Sequence, residues 1–336
     1  MKVLLLFQDN ILADIPTVQT DFVSTGSSFT SGTPAQRKSA TNVNLFTALC
    51  RVLSGHYDWA LLPAIDLNWQ WDKDAGKKTK RNIIGLMLKS RLIGSAARLL
   101  WPKKTRVAVL DRYDTWEPFL AVPRFFGAVL YFKGHFVPRE TPSEPGMRYE
   151  RLPWWVFSEN YRCQLPISQR EHDLFFAMTI SSEIRQEALE MAEYFAQQGL
   201  RVLAPREAIT FQDYIVALEN SRFVLAPEGT GYCCFRHYES MLTGAIPVVN
   251  ENAQGYDLDL VDGENCIFYK RGEQDSLLRR LQGLLADSEA LKAFSERART
   301  LALANNTQEA VGRYVLSKLT AFEEADRPVA SALAPI

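Results

Sequence analysis

Arg236 and Glu239 stand three residues apart, just after a glycine-bearing turn, Gly229-Thr230-Gly231. On a helix that spacing puts both side chains on one face. A guanidinium there can fork onto a pyrophosphate, and a carboxylate can accept the paired hydroxyls of a ribose. Glycines let backbone come close to an anion, and the N–H groups that open a helix favour negative charge. The group suits a nucleoside diphosphate held at both ends. The same spacing also fits a capped surface helix carrying an Arg–Glu pair.

The elements around these residues follow from local pattern. Phe223 to Ala226 reads as a strand that leads into Pro227, Glu228 and the glycine turn. A helix is predicted to start near Cys233 or Cys234 and to end at Gly244, with a strand, Ile246 to Asn250, directly after it. In a parallel sheet such a turn lies at the carboxyl edge, where ligands collect. The same rhythm begins earlier in this half. Asp173 to Thr179 reads as a strand and Ser182 to Gln198 as a helix, so Arg185 falls in that helix's first turn. Further strands are expected at Arg201 to Ala204 and Cys266 to Tyr269, a helix at Phe211 to Asn220, and two or three helices between Glu273 and Glu324.

The first half alternates in the same way. Strands are predicted at Val3 to Phe7, Trp59 to Leu62, Arg106 to Leu110 and Ala128 to Phe132, with helices at Asn42 to Leu53 and about Lys80 to Leu100. Ile11 to Ala40 is rich in Ser, Thr and Gly and reads as a long loop after the first strand. Prolines crowd Pro138 to Pro166, which reads as an irregular connection whose tryptophans pack between two lobes. Alternating strands and helices imply α/β architecture with parallel sheets.

The run S-R-F-V-L-A-P-E-G…C-F-R-H-Y-E-S-M-L-T-G-A-I-P-V-V, Ser221 to Val249, resembles the C-terminal signature of exostosin-type glycosyltransferases. Asp262-Gly-Glu-Asn-Cys-Ile-Phe268 is similar to a turn found in many GT-B glycosyltransferases. The resemblance covers about Asp213 to Leu285. It implies a GT-B fold: two Rossmann-like domains with parallel sheets facing a cleft. The division it suggests is an acceptor-side domain at 1–140, a connection at 141–170, a nucleotide-sugar domain at 171–306, a helix at 307–324 packing back on the first domain, and a frayed tail at 325–336. Carried over, Arg236 binds the donor diphosphate, Glu239 the ribose, and Gly229, Thr230 and Gly231 line the phosphates. Arg185 matches a basic phosphate ligand. The sequence departs from the pattern at Cys234, where exostosins have Ser, and at Glu228, which follows the proline. Glu228 and Glu239 do not have the spacing of many retaining enzymes.

Transfer by inversion needs a base near the acceptor hydroxyl. Residues at strand ends are Asp9, Asp111, Asp114 and His135, with Glu228 in the second half. Asp111-Arg-Tyr-Asp114 directly follows a strand, though any of these carboxylates could equally cap a helix. Asp257-Leu-Asp259 and Asp72-Lys-Asp74 spell a metal-binding DxD, but neither follows a convincing strand. Both read as surface turns, and no essential metal is expected.

Composition excludes other classes. The 336 residues carry a formal net charge of -1, which gives no reason to expect a nucleic-acid partner. Five cysteines, two of them adjacent and none in a CxxC, suit reduced thiols in a cytoplasm. No GxGxxG follows the first strand, which disfavours a nicotinamide enzyme. Residues 77–106 hold ten Lys or Arg and no acid. Ile84, Leu88, Leu92, Ala96 and Leu99 form an apolar face read as core, while the basic edge and Trp101 suit an anionic membrane surface.

The expected activity is sugar transfer from a nucleoside-diphosphate donor, UDP or GDP, to a glycan or lipid-linked acceptor, without a cofactor, at the inner face of a membrane. The competing readings are a fucosyltransferase-like or other sugar-nucleotide enzyme, and a GT-B protein that binds nucleotide or glycan without turnover.

Overall fold

Strands that are apolar at every position must be covered on both faces. β1 (Lys2–Leu5), β4 (Trp59–Pro63), β5 (Arg106–Asp111) and β6 (Leu130–Lys133) come close to this kind, with charge only at the strand-end residues Lys2, Arg106, Asp111 and Lys133. A computed structural model of the chain joins them in one parallel sheet; it describes residues 1–6, 11–12, 15–23, 41–64, 88–97, 105–112, 118, 120–141, 144–229 and 231–326. Three more strands complete the sheet, β2 (Gln19–Phe22), β3 (Thr41–Asn42) and β7 (Arg148–Arg151), of which β3 and β7 are its edges. The order is β3-β2-β1-β4-β5-β6-β7, and every pair is parallel. β2 lies inside the stretch read as loop and β7 inside the stretch read as irregular connection. Both are polar at alternate or most positions, so they carry no continuous apolar run.

Three helices cover one face of this sheet: α1 (Leu45–Leu53), α2 (helical over 88–97) and α3 (Ala121–Phe126). Ala48, Val52, Ile93, Ala97 and Phe126 pack there on Leu4, Ala60 and Val109. The apolar face of α2 differs from the one read from spacing. Ile93, Ala96 and Ala97 point to the core, whereas Leu88 and Leu92 are 55% and 50% exposed. The helix has more apolar residues than one core-facing stripe can take, so spacing placed Leu88 and Leu92 wrongly; Ala96 is buried as read, and Ile84 and Leu99 lie outside the described residues.

The other face is covered by a helix from the far end of the chain, α9 (Gln308–Ala325). Its Val311, Val315 and Leu319 pack with Val3, Leu5, Trp59 and Leu110. Gly312 permits the close approach, because a Cβ there would lie 1.9 Å from the Ile11 carbonyl oxygen.

The second sheet has five parallel strands in the order β12-β11-β10-β8-β9. They are β8 (His172–Phe175), β9 (Val202–Leu203), β10 (Ser221–Leu225), β11 (Ile246–Asn250) and β12 (Ile267–Tyr269). Its helices are α4 (Glu183–Gln197), α5 (Phe211–Glu219), α6 (Phe235–Leu242), α7 (Gln274–Ala286) and α8 (Ser288–Asn305). The chain leaves β8 toward one edge and returns to place β10 on the other side of it. The gap between the carboxyl ends of β8 and β10 is therefore the topological switch point, the expected ligand crevice of such a sheet. Gly244, at φ 76°, ends α6 in the left-handed region and lets β11 begin at once. Buried Arg170 ties the start of β10 to the end of α6, donating to the Ser221 carbonyl at 2.7 Å and to the Thr243 carbonyl.

All five cysteines are free thiols. Among the described residues, no helix is long and apolar enough to cross a membrane. The stretch 24–40, the start of the basic helix, Trp101, Lys103, Lys104, Asp9, Asp72, Asp74 and the tail 327–336 lie outside the described residues.

Candidate functional site

Two helices begin at the switch point, α4 after β8 and α6 after β10. The opening N–H groups of a helix need partners. In α1, α5, α8 and α9 a side chain supplies one, from Asn44, Thr210, Asp287 and Thr307. α4 and α6 have no side-chain cap (nor do α3 and α7). At α4 the Ser182 hydroxyl is itself buried without a hydrogen-bond partner. Uncapped helix starts at the ligand edge of a sheet make an anion site.

The cations converge on the same place. Arg185, in the first turn of α4, donates from Nε to the Glu228 carbonyl at 3.2 Å and from Nη1 to the Thr179 carbonyl and the Ser181 hydroxyl, each at 3.0 Å. Its Nη2 lies against Gly229, where a Cβ would come within 2.4 Å. The Gly229 N–H closes a tight turn onto the Gly231 carbonyl at 3.0 Å. Arg236 enters from α6. Its Nε is buried with no hydrogen-bond partner, and its guanidinium lies 5.7 Å from the Tyr214 ring centre. Burial and then the Arg236 charge lower the Arg185 pKa. Two guanidiniums thus meet beside a glycine turn, and among the described residues neither has an ion pair to a carboxylate. Like charges brought together out of water are costly unless an anion joins them.

Glu239 sits one turn further along α6. One carboxylate oxygen accepts the Tyr161 hydroxyl at 2.6 Å and the other the Tyr214 hydroxyl at 2.7 Å. Burial first and Glu239 second raise both tyrosine pKa values, so both hydroxyls stay protonated as donors. Each oxygen keeps a second lone pair for a ligand hydroxyl. Cys234, the N-cap of α6, is a thiol whose pKa burial pushes up to about 11. It is neutral at pH 7 and accepts only weakly, which leaves the helix start to a ligand.

Glu228 is held by Asn250 at the end of β11. Asn250 accepts the Glu228 N–H at 2.8 Å and donates to its carboxylate at 2.9 Å. His237 faces inward, pairing with the Ala226 carbonyl at 3.0 Å, and burial pushes its pKa down to about 4. The neutral imidazole adds no third positive charge under the turn.

The first lobe reaches the site through aromatic rings. His135, just past β6, makes edge contacts with Trp154 at 5.2 Å and Tyr256 at 5.6 Å, and Tyr256 stacks on Tyr232 at 5.5 Å. Trp154 in turn touches Phe235, the first residue of α6. The Arg112 guanidinium, at the end of β5, lies 3.7 Å from the Trp155 ring centre and 5.5 Å from that of Phe235. Asp111 has another partner: it is fully buried, pairs with Lys133 Nζ at 3.2 Å and accepts the Tyr131 hydroxyl. Of the residues singled out in the sequence, Arg185, Glu228, Gly229, Gly231, Arg236 and Glu239 come together. His135 lies at the seam, Asp111 stays within the first sheet, and Asp114 and Thr230 lie outside the described residues. Asp257 and Asp259 of the DxD both pair with Arg151. Among the described residues, no three His, Cys, Asp or Glu side chains converge as metal ligands. Tyr161, Tyr214, Asn250 and Arg112 carried no signal in the sequence, since each acts through contacts with distant segments.

Residues 177–266 match the family described as the RXYLT1 C-terminal domain, an exostosin-like glycosyltransferase family. No curated protein matches the chain. The fold is that of GT-B glycosyltransferases. A glycosyltransferase from Rickettsia africae superposes with a TM-score of 0.58 at 8% identity, covering 96% of this chain and 98% of that one. HepE from Anabaena, in complex with UDP and glucose, gives 0.53 at 12% identity over 96% and 100%. An α-glucosyltransferase in complex with UDP-glucose and abasic-site DNA gives 0.57 at 10% identity over 95% and 99%.

Proposed function

We propose that the chain is a glycosyltransferase that moves a sugar from a nucleoside-diphosphate donor, UDP or GDP, to a glycan or lipid-linked acceptor in surface polysaccharide or glycolipid synthesis. The observation that carries the reading is the pair Arg185 and Arg236, without carboxylate partners among the described residues, at two uncapped helix starts beside Gly229 and Gly231. That arrangement fits the diphosphate, and Glu239 fits the ribose hydroxyls. UDP in HepE and UDP-glucose in the α-glucosyltransferase support the donor class.

The chemistry follows from charge. When the glycosidic bond to phosphate breaks, negative charge grows on the leaving diphosphate. Two fixed guanidiniums and two helix starts stabilise that charge without reorganising. No metal is required for this, because the cations already stand where a divalent ion would act. Glu228, fixed by Asn250, lies next to the turn. The base that deprotonates the acceptor is drawn from Asp111, Asp114, His135 and Glu228. Asp111 is the weakest member of that set, since Lys133 already holds its charge. The protein works in the cytoplasm at the inner face of a membrane, and no nucleic-acid partner is proposed for it.

A melting panel with UDP, GDP, ADP and dTDP tests the reading. At a hundred times its dissociation constant a nucleotide adds about 2.7 kcal/mol, a rise of several degrees. The responding nucleotide then selects the sugar nucleotides for a turnover assay that reads release of the free diphosphate. No melting shift with any nucleotide overturns the proposal. Binding without turnover of any donor favours the non-catalytic alternative.

A further inference from the structure

Glu239 is braced from two sides by phenols that lie far apart in the chain. Tyr161 belongs to the connection that leads into the second sheet. It is buried, and its N–H closes a turn onto the Ser158 carbonyl at 3.1 Å. The next residue, Arg162, donates its N–H to the Glu219 carboxylate at 3.2 Å, which fastens the connection to the last residue of α5. Tyr214 stands at the end of the first turn of α5. Thr210 fixes that turn: its hydroxyl accepts the Asp213 N–H at 3.1 Å and donates to the Asp213 carboxylate at 2.7 Å.

Tyr214 uses both ends of its side chain. Its hydroxyl donates to Glu239 at 2.7 Å, while its ring centre lies 5.7 Å from the Arg236 guanidinium and 5.8 Å from the Phe175 ring at the end of β8. The Arg236 Nε is buried with no hydrogen-bond partner, and the ring face gives its guanidinium a fixed seat. A carboxylate oxygen has two in-plane lone pairs. Tyr161 takes one on Oε1 and Tyr214 one on Oε2. Tethered at both oxygens, the group cannot turn about its last bond, and each oxygen keeps one open acceptor position. Two such positions, side by side, match two neighbouring hydroxyls. Against a single hydroxyl one charged acceptor would be covered by ligand and left unsatisfied, which is costly.

We propose that Tyr161 and Tyr214 are positioning residues that hold the Glu239 carboxylate for a vicinal diol, so that the site selects ribonucleoside over 2′-deoxyribonucleoside diphosphates. This role rests on Glu239 as the ribose ligand of the proposed function. A deoxythymidine sugar nucleotide is then rejected at its sugar ring, whatever the fit of its base.

Titration calorimetry of the full chain with UDP against 2′-deoxy-UDP, GDP against 2′-deoxy-GDP, and inorganic pyrophosphate tests it. In wild type the deoxy form of the nucleotide that binds should be weaker by about tenfold or more, the loss of one hydrogen bond to a charged group; this comparison needs no variant. Tyr161→Phe and Tyr214→Phe keep both rings and should each shrink that ratio to about threefold or less, because a freed carboxylate can turn to suit one hydroxyl. Both should bind pyrophosphate as wild type does, which also shows that the fold is intact. Tyr214→Leu removes the seat of Arg236 as well and should weaken pyrophosphate by about threefold or more. A tyrosine with only a packing role would weaken both nucleotides of a pair equally. A wild-type ratio near one, an unchanged ratio in both Phe variants, or equal losses of nucleotide and pyrophosphate in Tyr214→Phe would overturn the inference and leave the diphosphate clamp standing. Failure of wild type to bind either pair or pyrophosphate would overturn the donor reading, and this role with it.

Discussion

Replacing Arg236 by Ala separates a ligand-binding arginine from a structural one, because the two roles predict opposite signs. In the free protein the Arg236 Nε is buried without a partner and its charge adds to the cost of keeping Arg185 ionised. Removing it relieves both, so the melting temperature of the free protein should hold or rise slightly. In the complex the same change removes a forked contact to the diphosphate. Two hydrogen bonds to a charged group at about 1.5 kcal/mol each sum to about 3 kcal/mol, or roughly 150-fold in Kd. Arg236→Lys keeps the charge but loses the fork, so its affinity should fall between the two. Titration calorimetry with the responding nucleotide gives Kd, and melting of the free protein gives the other half. A variant that melts several degrees lower and binds with unchanged Kd would refute the reasoning and return Arg236 to a packing role.

Four more outcomes follow from the same contacts. Gly229→Ala places a methyl 2.4 Å from Arg185 Nη2, so it should displace that guanidinium and weaken nucleotide binding at least tenfold, with little change in melting; unchanged affinity would show that Arg185 does not touch the ligand. Glu239→Gln should cost about 1–2 kcal/mol in nucleotide affinity while inorganic pyrophosphate binds as before, and equal losses for both would contradict a ribose contact. His237 has a folded pKa near 4 against about 6.5 unfolded, so between those values the unfolded state binds more protons. The unfolding free energy should therefore fall by up to about 3 kcal/mol as pH drops through that window and level off below it. His237→Gln should flatten the slope in urea titrations, and an unchanged slope would argue against a buried neutral imidazole. Gly312→Ala drives a methyl to 1.9 Å from the Ile11 carbonyl and should cost about 1–3 kcal/mol or more, read as a lower melting temperature; no change would mean that α9 does not press on the first sheet as described.

The second lobe was legible in the sequence because its signals are local. β10 and β11 carry apolar runs, Phe223 to Leu225 and Ile246 to Val249, glycines close α4 and α6, and Arg185, Arg236 and Glu239 take their places from turns and helix starts that short-range pattern predicts. The first lobe hid more. β2 and β7 are short strands of mixed polarity, and no continuous apolar run marks their pairing to β1 and β6. The same limit applies within the site. Tyr161 and Glu239 are 78 residues apart, and nothing in either neighbourhood announces their hydrogen bond. The outward stripe of α2 was misassigned for a related reason: periodicity shows that a helix has apolar faces, but only packing shows which one is covered.

The central claim is that a diphosphate sits between Arg185 and Arg236 at the β8–β10 switch point. Diffraction from crystals soaked with the nucleotide that raises the melting temperature most would test it directly. The account predicts phosphate density bounded by the Gly229–Gly231 turn, the starts of α4 and α6 and both guanidiniums, with the ribose hydroxyls on Glu239. Well-ordered nucleotide bound elsewhere, with the two arginines unmoved and untouched, would contradict it.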